Sequence, residues 1–240
     1  CQAQPTPSPT TTQTSPPPSA TPPPSPTIIW FPATATFTPF PTSPPIAPTE
    51  EMRPSLGEII LEDNFSTSAP WSTSQTAEGS ALLGANELTI SIPNEKRYLT
   101  SLRQEPLLAD FYIEITAGPT FCQGQDEYGL LLRYTSPGDF YRIALSCDGQ
   151  VRLDRVYQDQ ASSPQPWLIS GALPIGAPSR SRLAVWARGR ELRVFINDEF
   201  QFQVSDPQLT QGQIGVFARA TGDHLFTVGF SNLQIRQIGP

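Results

Sequence analysis

Proline and charge divide this chain into two parts that cannot share a fold. Of its 28 prolines, 17 precede residue 55, while every charged residue lies at Glu50 or beyond. Proline fixes φ and removes the amide donor that helices and sheets need. A tract of proline, threonine and serine also has too little apolar surface to offset chain entropy. Residues 1–55 therefore read as a disordered Pro/Thr/Ser-rich segment. Residues 56–240 are long enough for one sizeable core.

The folded part carries the whole net charge of −7. An acidic domain without a basic stripe argues against a nucleic-acid partner. No apolar run approaches the 18 or so residues that a membrane-spanning helix needs. Any membrane attachment must therefore come through Cys1.

The opening CQAQPTPSPTTTQTSPPPSATPPPSP resembles a mature bacterial lipoprotein, with a lipid-bearing cysteine ahead of a spacer. That resemblance implies an extracytoplasmic, membrane-anchored protein whose domain stands off the surface on a stalk. The alternative is that Cys1 only marks where a fragment begins. As polyproline II, fifty residues at about 3.1 Å each would reach on the order of 150 Å. Two aromatic spots interrupt the tract, TIIWFP at 27–32 and FTPFPT at 37–42. Outside the cytoplasm, the remaining cysteines, Cys122 and Cys147, are expected to form a disulfide. Two buried free thiols are the alternative. A zinc site would need more ligands than these and the lone His224.

From residue 58 onward, short apolar or alternating runs are separated by turn signals, and no helical period lasts ten residues. Candidate strands are 58–62, 80–84, 87–92, 98–103, 110–118, 127–134, 139–146, 150–157, 181–188, 191–196, 199–204, 212–218 and 225–236. Strands this short, with turns this close, imply an all-β sandwich of two antiparallel sheets. Alternation puts Leu130, Leu132, Tyr141, Ile143 and Leu145 on one face. A two-residue turn at Asp148–Gly149 would continue that face onto Arg152 and Asp154 and bury charge. A three-residue loop with Gly149 left-handed instead brings Val151 and Leu153 inward and sets Arg142 opposite Asp154. The other face then displays Arg133, Phe140, Arg142, Arg152 and Asp154.

The runs YGLLLRYTSPGDFYRIALSCDGQVRL, LAVWARGRELRVFIND and GQIGVFA together resemble the concanavalin A-like lectin/glucanase sandwich. More narrowly they are similar to laminin-G-like and 3-keto-disaccharide hydrolase (DUF1080-type) domains. LEDNFSTSAPW and FTVGFSNLQIRQI fit the way such domains begin and end. The resemblance spans roughly residues 58–238 and implies a jelly-roll sandwich. The superfold hosts lectins, hydrolases and adhesion modules alike, so the site must decide function.

The retaining glucanases of this superfamily carry E-x-D-x-x-E on one strand, with the two glutamates about 5–5.5 Å apart. No such spacing occurs here. Glu114 lacks a second carboxylate. Asp126–Glu127 and Asp198–Glu199 are adjacent pairs whose side chains diverge on a strand. A nucleophile elbow is also missing. No catalytic residue is assigned. A sugar-binding face combining rings with charged side chains is expected from Arg133, Phe140, Arg142, Arg152, Trp167 and Trp186. Relatives of this fold often hold a structural calcium near the first and last strands, for which Glu62, Asp63, Asn64 and Asp223 are candidate ligands. The expected protein is thus a non-catalytic surface lipoprotein binding a carbohydrate or an envelope or extracellular protein.

Overall fold

The computed structural model describes residues 52, 55–66, 70–93 and 96–239. Cys1, both aromatic spots and the rest of the expected stalk, apart from Met52 and Ser55, lie outside the described residues. The chain divides into Cys1–Thr49 and Glu50–Pro240.

The described residues form fifteen strands and no helix. They are β1 (Leu56–Asp63), β2 (Ser74–Thr76), β3 (Gly79–Gly84), β4 (Glu87–Ile92), β5 (Tyr98–Leu108), β6 (Phe111–Phe121), β7 (Glu127–Ser136), β8 (Asp139–Ser146), β9 (Gln150–Tyr157), β10 (Gln160–Ile169), β11 (Ser181–Arg188), β12 (Glu191–Ile196), β13 (Glu199–Ser205), β14 (Gly212–Arg219) and β15 (Phe226–Ile238). They build the expected jelly-roll sandwich. A nine-stranded sheet runs β13-β12-β11-β6-β15-β4-β3-β2, with β1 also on β15, and a six-stranded sheet runs β10-β9-β8-β7-β14-β5. All pairings are antiparallel.

The core lies between the sheets, and strand alternation supplies it. Phe111, Ile113 and Ile115 of β6 and Leu183, Val185 and Ala187 of β11 face Leu130, Leu132, Tyr141, Ile143, Leu145, Val151 and Leu153 from the smaller sheet. The central hairpin adopts the three-residue loop. Gly149 has φ +85°, and Arg142 pairs with Asp154, Ile143 with Leu153 and Leu145 with Val151. Cys147 in that loop forms the disulfide with Cys122, their Cα atoms 5.9 Å apart. It ties the β8–β9 turn to the end of β6.

Strands β2 and β10 were not legible. β10 reads QASSPQPWLI, with two prolines and no alternation. It forms because it is an edge strand, where a missing donor faces no neighbour, and its register shifts twice around the prolines.

Arg133 departs from its expected place on the outer face. The register of β7 breaks after Leu132, and Arg133 has φ +49°. This bulge turns the side chain inward, where it is fully buried. Its guanidinium donates to the carbonyls of Leu209 and Ala109, each at 2.8 Å, and burial lowers its pKa below the ordinary arginine value. Arg133 therefore clips two loops to β7.

Trp186 also departs from the expected grouping. It lies on the outer face of the nine-stranded sheet, packed with Tyr112, Ala184 and Phe195 under Met52, Leu56 and Ile238. Arg193 stacks on its ring at 4.6 Å and donates to the Met52 carbonyl at 2.9 Å. Trp186 thus lies on the opposite sheet from Phe140, Arg142, Arg152 and Trp167.

Candidate functional site

The outer face of the six-stranded sheet carries the chemistry. Its floor is an apolar cluster of Leu131, Phe140, Ala144 and Phe217, with Leu102, Tyr134, Val156 and Trp167 packed against it. Phe140 is buried in a stack with Tyr134, centroids 5.6 Å apart, so it supports the floor. The sheet register aligns side chains from five of the six strands into rows. One row runs Phe217, Gly129, Ala144, Arg152. The next runs Leu102, Gly215, Leu131, Arg142, Asp154. Glycine and alanine in the middle keep it low, and longer side chains fill both ends.

Charged groups lie over this floor in a connected strip. Asp154 on β9 is the hub. It accepts from Arg142 Nε at 3.1 Å and Nη2 at 2.5 Å and from Ser163 Oγ at 2.6 Å, and it is ion-paired with Arg152 Nη2 at 3.0 Å. Arg152 also reaches Glu127 of β7 at 3.3 Å, and Arg219 of β14 donates to Glu127 at 3.2 Å. Each arginine also meets an aromatic ring or a neighbouring strand. Arg152 stacks on Trp167 at 4.3 Å, and Arg142 lies over Tyr98 and Phe217 at 5.8 and 5.5 Å. The Tyr98 and Phe217 rings are 5.6 Å apart.

This arrangement fixes the protonation states. Burial pushes the Tyr98 phenol up to about 12 and Arg142 opposes that, so the hydroxyl remains neutral at physiological pH. Burial alone would lower Arg142, but the bond and charge of Asp154 outweigh it and hold the guanidinium above its usual value. The strip therefore presents guanidinium cations, a neutral phenol and the rings of Tyr98 and Trp167 above the buried Phe217. Such donors fork onto hydroxyls, carboxylates or sulfates, and the rings offer stacking faces.

Of the expected binding residues, Arg142, Arg152 and Trp167 converge here, with Phe140 beneath them. Arg133 and Trp186 do not. Tyr98, Glu127 and Arg219 belong to the strip and were missed by sequence reasoning. For Glu127 the signal was present. It follows Asp126 at the start of β7, and the two side chains diverge as those of adjacent extended residues do. Asp126 turns inward to His224 Nε2 at 2.6 Å and to Thr221 and Gln123, and Glu127 turns out to the arginines.

The four calcium candidates are not brought together. Glu62, Asp63 and Asn64 line a hollow of ≈ 240 Å³ with Asn232, Leu233 and Gln234. Asp223 precedes β15, whereas Asp63 pairs with Leu233, roughly 20 Å further along that strand at about 3.3 Å per residue. The Asp63 carboxylate already accepts from the Phe65 amide, the Trp71 indole and Arg103, at 2.7, 2.9 and 2.8 Å. Among the described residues, Cys122, Asp126 and Cys147 also cluster, but the two sulfurs are bonded to each other.

Solved structures resemble this fold. A carbohydrate-binding module, CBM66, from Bacillus subtilis superposes with a TM-score of 0.52 at 17% identity, over 70% of this chain and 96% of that one. A Bacillus subtilis protein of unknown function with a galectin-like fold gives 0.59 at 13% identity, over 76% and 97%. The catalytic domain of an endo-1,3-beta-glucanase (laminarinase) from Thermotoga petrophila gives 0.54 at 7% identity, over 76% and 98%. No protein-family model matches the chain, and no curated protein does. At these identities the likeness establishes a galectin-like, jelly-roll sandwich of the kind used by carbohydrate-binding modules and by glycoside hydrolases.

Proposed function

We propose that this protein binds glycans, without cleaving them, on the outer face of its six-stranded sheet. The observation that carries this reading is the arginine strip. Arg142, Arg152 and Arg219 are oriented beforehand by Asp154 and Glu127, beside the rings of Tyr98 and Trp167. Groups already held in place lose little freedom on binding, which favours weak, polar ligands such as sugars. The strip crosses six strands, five spacings of about 4.8 Å, and so is suited to an oligosaccharide rather than a single ring. The carbohydrate-binding module among the similar structures supports the same reading. With it goes the proposal that Cys1 carries lipid and that the domain works outside the cytoplasm, where its disulfide would persist.

A hydrolytic second reading rests on Glu127 and Asp154, two carboxylates sharing Arg152, and on the laminarinase catalytic domain among the similar structures. Its weakness is chemical. Each carboxylate is already held in ion pairs with two arginines, and a glycosidase needs one free to meet the glycosidic oxygen. A protein partner on the same face is the other alternative.

The test is titration of the full chain against an array of oligosaccharides. Trp167→Ala and Arg152→Ala should weaken binding about tenfold or more while the protein stays folded. Trp186→Phe, on the other sheet, should bind like the wild type. Binding that survives both strip variants, or fails in Trp186→Phe, would overturn the reading. Release of reducing ends would select the hydrolytic alternative.

A further inference from the structure

The strip does not end at Arg219. Beyond it, Lys96, Arg97, Tyr98, Arg219, Ala220 and Thr221 line a cleft of ≈ 410 Å³. Its walls are fixed. Tyr98 pairs with Arg219 across β5 and β14, and the Ala220 amide donates to the Arg97 carbonyl at 2.9 Å. Lys96 is the single lysine of the chain. It is exposed and forms no ion pair among the described residues. The Arg219 side chain is 46% exposed with one carboxylate contact, and Arg97 pairs with Glu78 at 2.7 Å. Apart from the Arg97–Glu78 pair, the described residues of strip and cleft set Lys96, Arg142, Arg152 and Arg219 against Glu127, Asp154 and the buried Asp126 beneath Thr221. A net positive face on a chain of net charge −7 is a local reversal of sign.

Resting on the glycan-binding reading above, we infer that the ligand is an anionic glycan, one bearing carboxylate or sulfate groups. An acid group of the saccharide sits in the cleft against Lys96 and Arg219, while neighbouring rings run along the strip toward Trp167. A neutral sugar would leave Lys96 and the outer edge of Arg219 in water and gain nothing from them. An acid group converts both into charge-assisted contacts, and the surrounding acidic surface disfavours the same group elsewhere. The sign reversal therefore supplies both affinity and placement.

The experiment compares polygalacturonate with its fully methyl-esterified form, and chondroitin sulfate with neutral galactan and laminarin, each titrated into the full 240-residue chain. The expected result is binding to a charged polysaccharide at least about tenfold tighter than to its neutral counterpart. The preference should shrink as salt shortens the screening length from about 10 Å at 0.1 M to about 3 Å at 1 M. It should be abolished in Lys96→Ala/Arg219→Ala. Carboxylate against sulfate is read from which charged polymer binds. Equal or tighter binding of a neutral glycan, weakened by Trp167→Ala, would overturn this inference and leave the glycan-binding face standing. Charged-polymer binding unchanged in the double variant would overturn it too. No binding by any polymer to folded protein would overturn both readings.

Discussion

Asp154→Ala separates what the arginine strip does for stability from what it does for binding. In the native fold, Asp154 accepts two bonds from Arg142 and one from Ser163 and is ion-paired with Arg152. Its loss leaves Arg152 with Glu127 but strips Arg142 of its carboxylate. The Arg142 side chain is only 16% exposed and lies against Phe217 and Tyr98. Deleting one partner of a buried pair typically costs 3–5 kcal/mol. Arg142 retains some access to water, so about 2–3 kcal/mol is expected. In a domain of this size about 1 kcal/mol moves Tm by 2–4 °C, so the variant should melt roughly 5–10 °C lower. Replacing both members by apolar groups, Arg142→Met/Asp154→Leu, removes the stranded charge. That variant should return to within about 1 kcal/mol of wild type and yet bind no glycan. Urea denaturation and calorimetric titration of the three proteins decide the matter. An Asp154→Ala protein melting within about 1 °C of wild type, or a double variant binding like wild type, would refute the reasoning.

Other perturbations test the remaining supports. Arg133→Met should cost about 2–3 kcal/mol in urea denaturation, because the buried Leu209 carbonyl loses its donor outright and the part-buried Ala109 carbonyl loses one that water replaces only in part. Glycan affinity should not change, and a cost below about 1 kcal/mol would show that packing, not these bonds, holds the loops. Cys122→Ser/Cys147→Ser opens a bridge of sequence separation 25 and should lose about 3 kcal/mol in the same assay. An unchanged midpoint would contradict it. Tyr98 has its folded-state pKa raised from 10.0 to about 12. Its contribution is fully present below pH 10 and is lost as pH rises toward 12, since the unfolded chain releases the proton first. Wild type should therefore lose more stability than Tyr98→Phe between those values. Parallel pH curves for the two proteins would refute this.

The residues show why some of this was legible and some was not. In the central hairpin, the alternative register would have buried Arg152 and Asp154 among Leu130, Ile143 and Leu145. Burial cost alone selected the three-residue loop and the Arg142–Asp154 pair. Arg133 obeyed the same alternation on paper. A left-handed residue reversed it, and no local signal marks a bulge at a non-glycine position. Trp186 alternates correctly along its strand, but alternation says only that it faces away from the core, not which sheet it serves. Trp167 was expected at the site although its strand was invisible. Two prolines erased the pattern, and only the neighbouring β9 edge gives β10 its place.

The sequence by itself determined the all-β class, most strand positions and the inward and outward faces. These depend on period and composition, which are properties of consecutive residues. Only the tertiary structure decided that Tyr98, Glu127, Arg142, Arg152, Arg219 and Trp167, drawn from six strands, form one strip with a basic cleft at its end. The strand order β10-β9-β8-β7-β14-β5 brings β14 and β5 beside β7. Such long-range pairing is set by how the two sheets close over a common core, and local pattern carries no record of it.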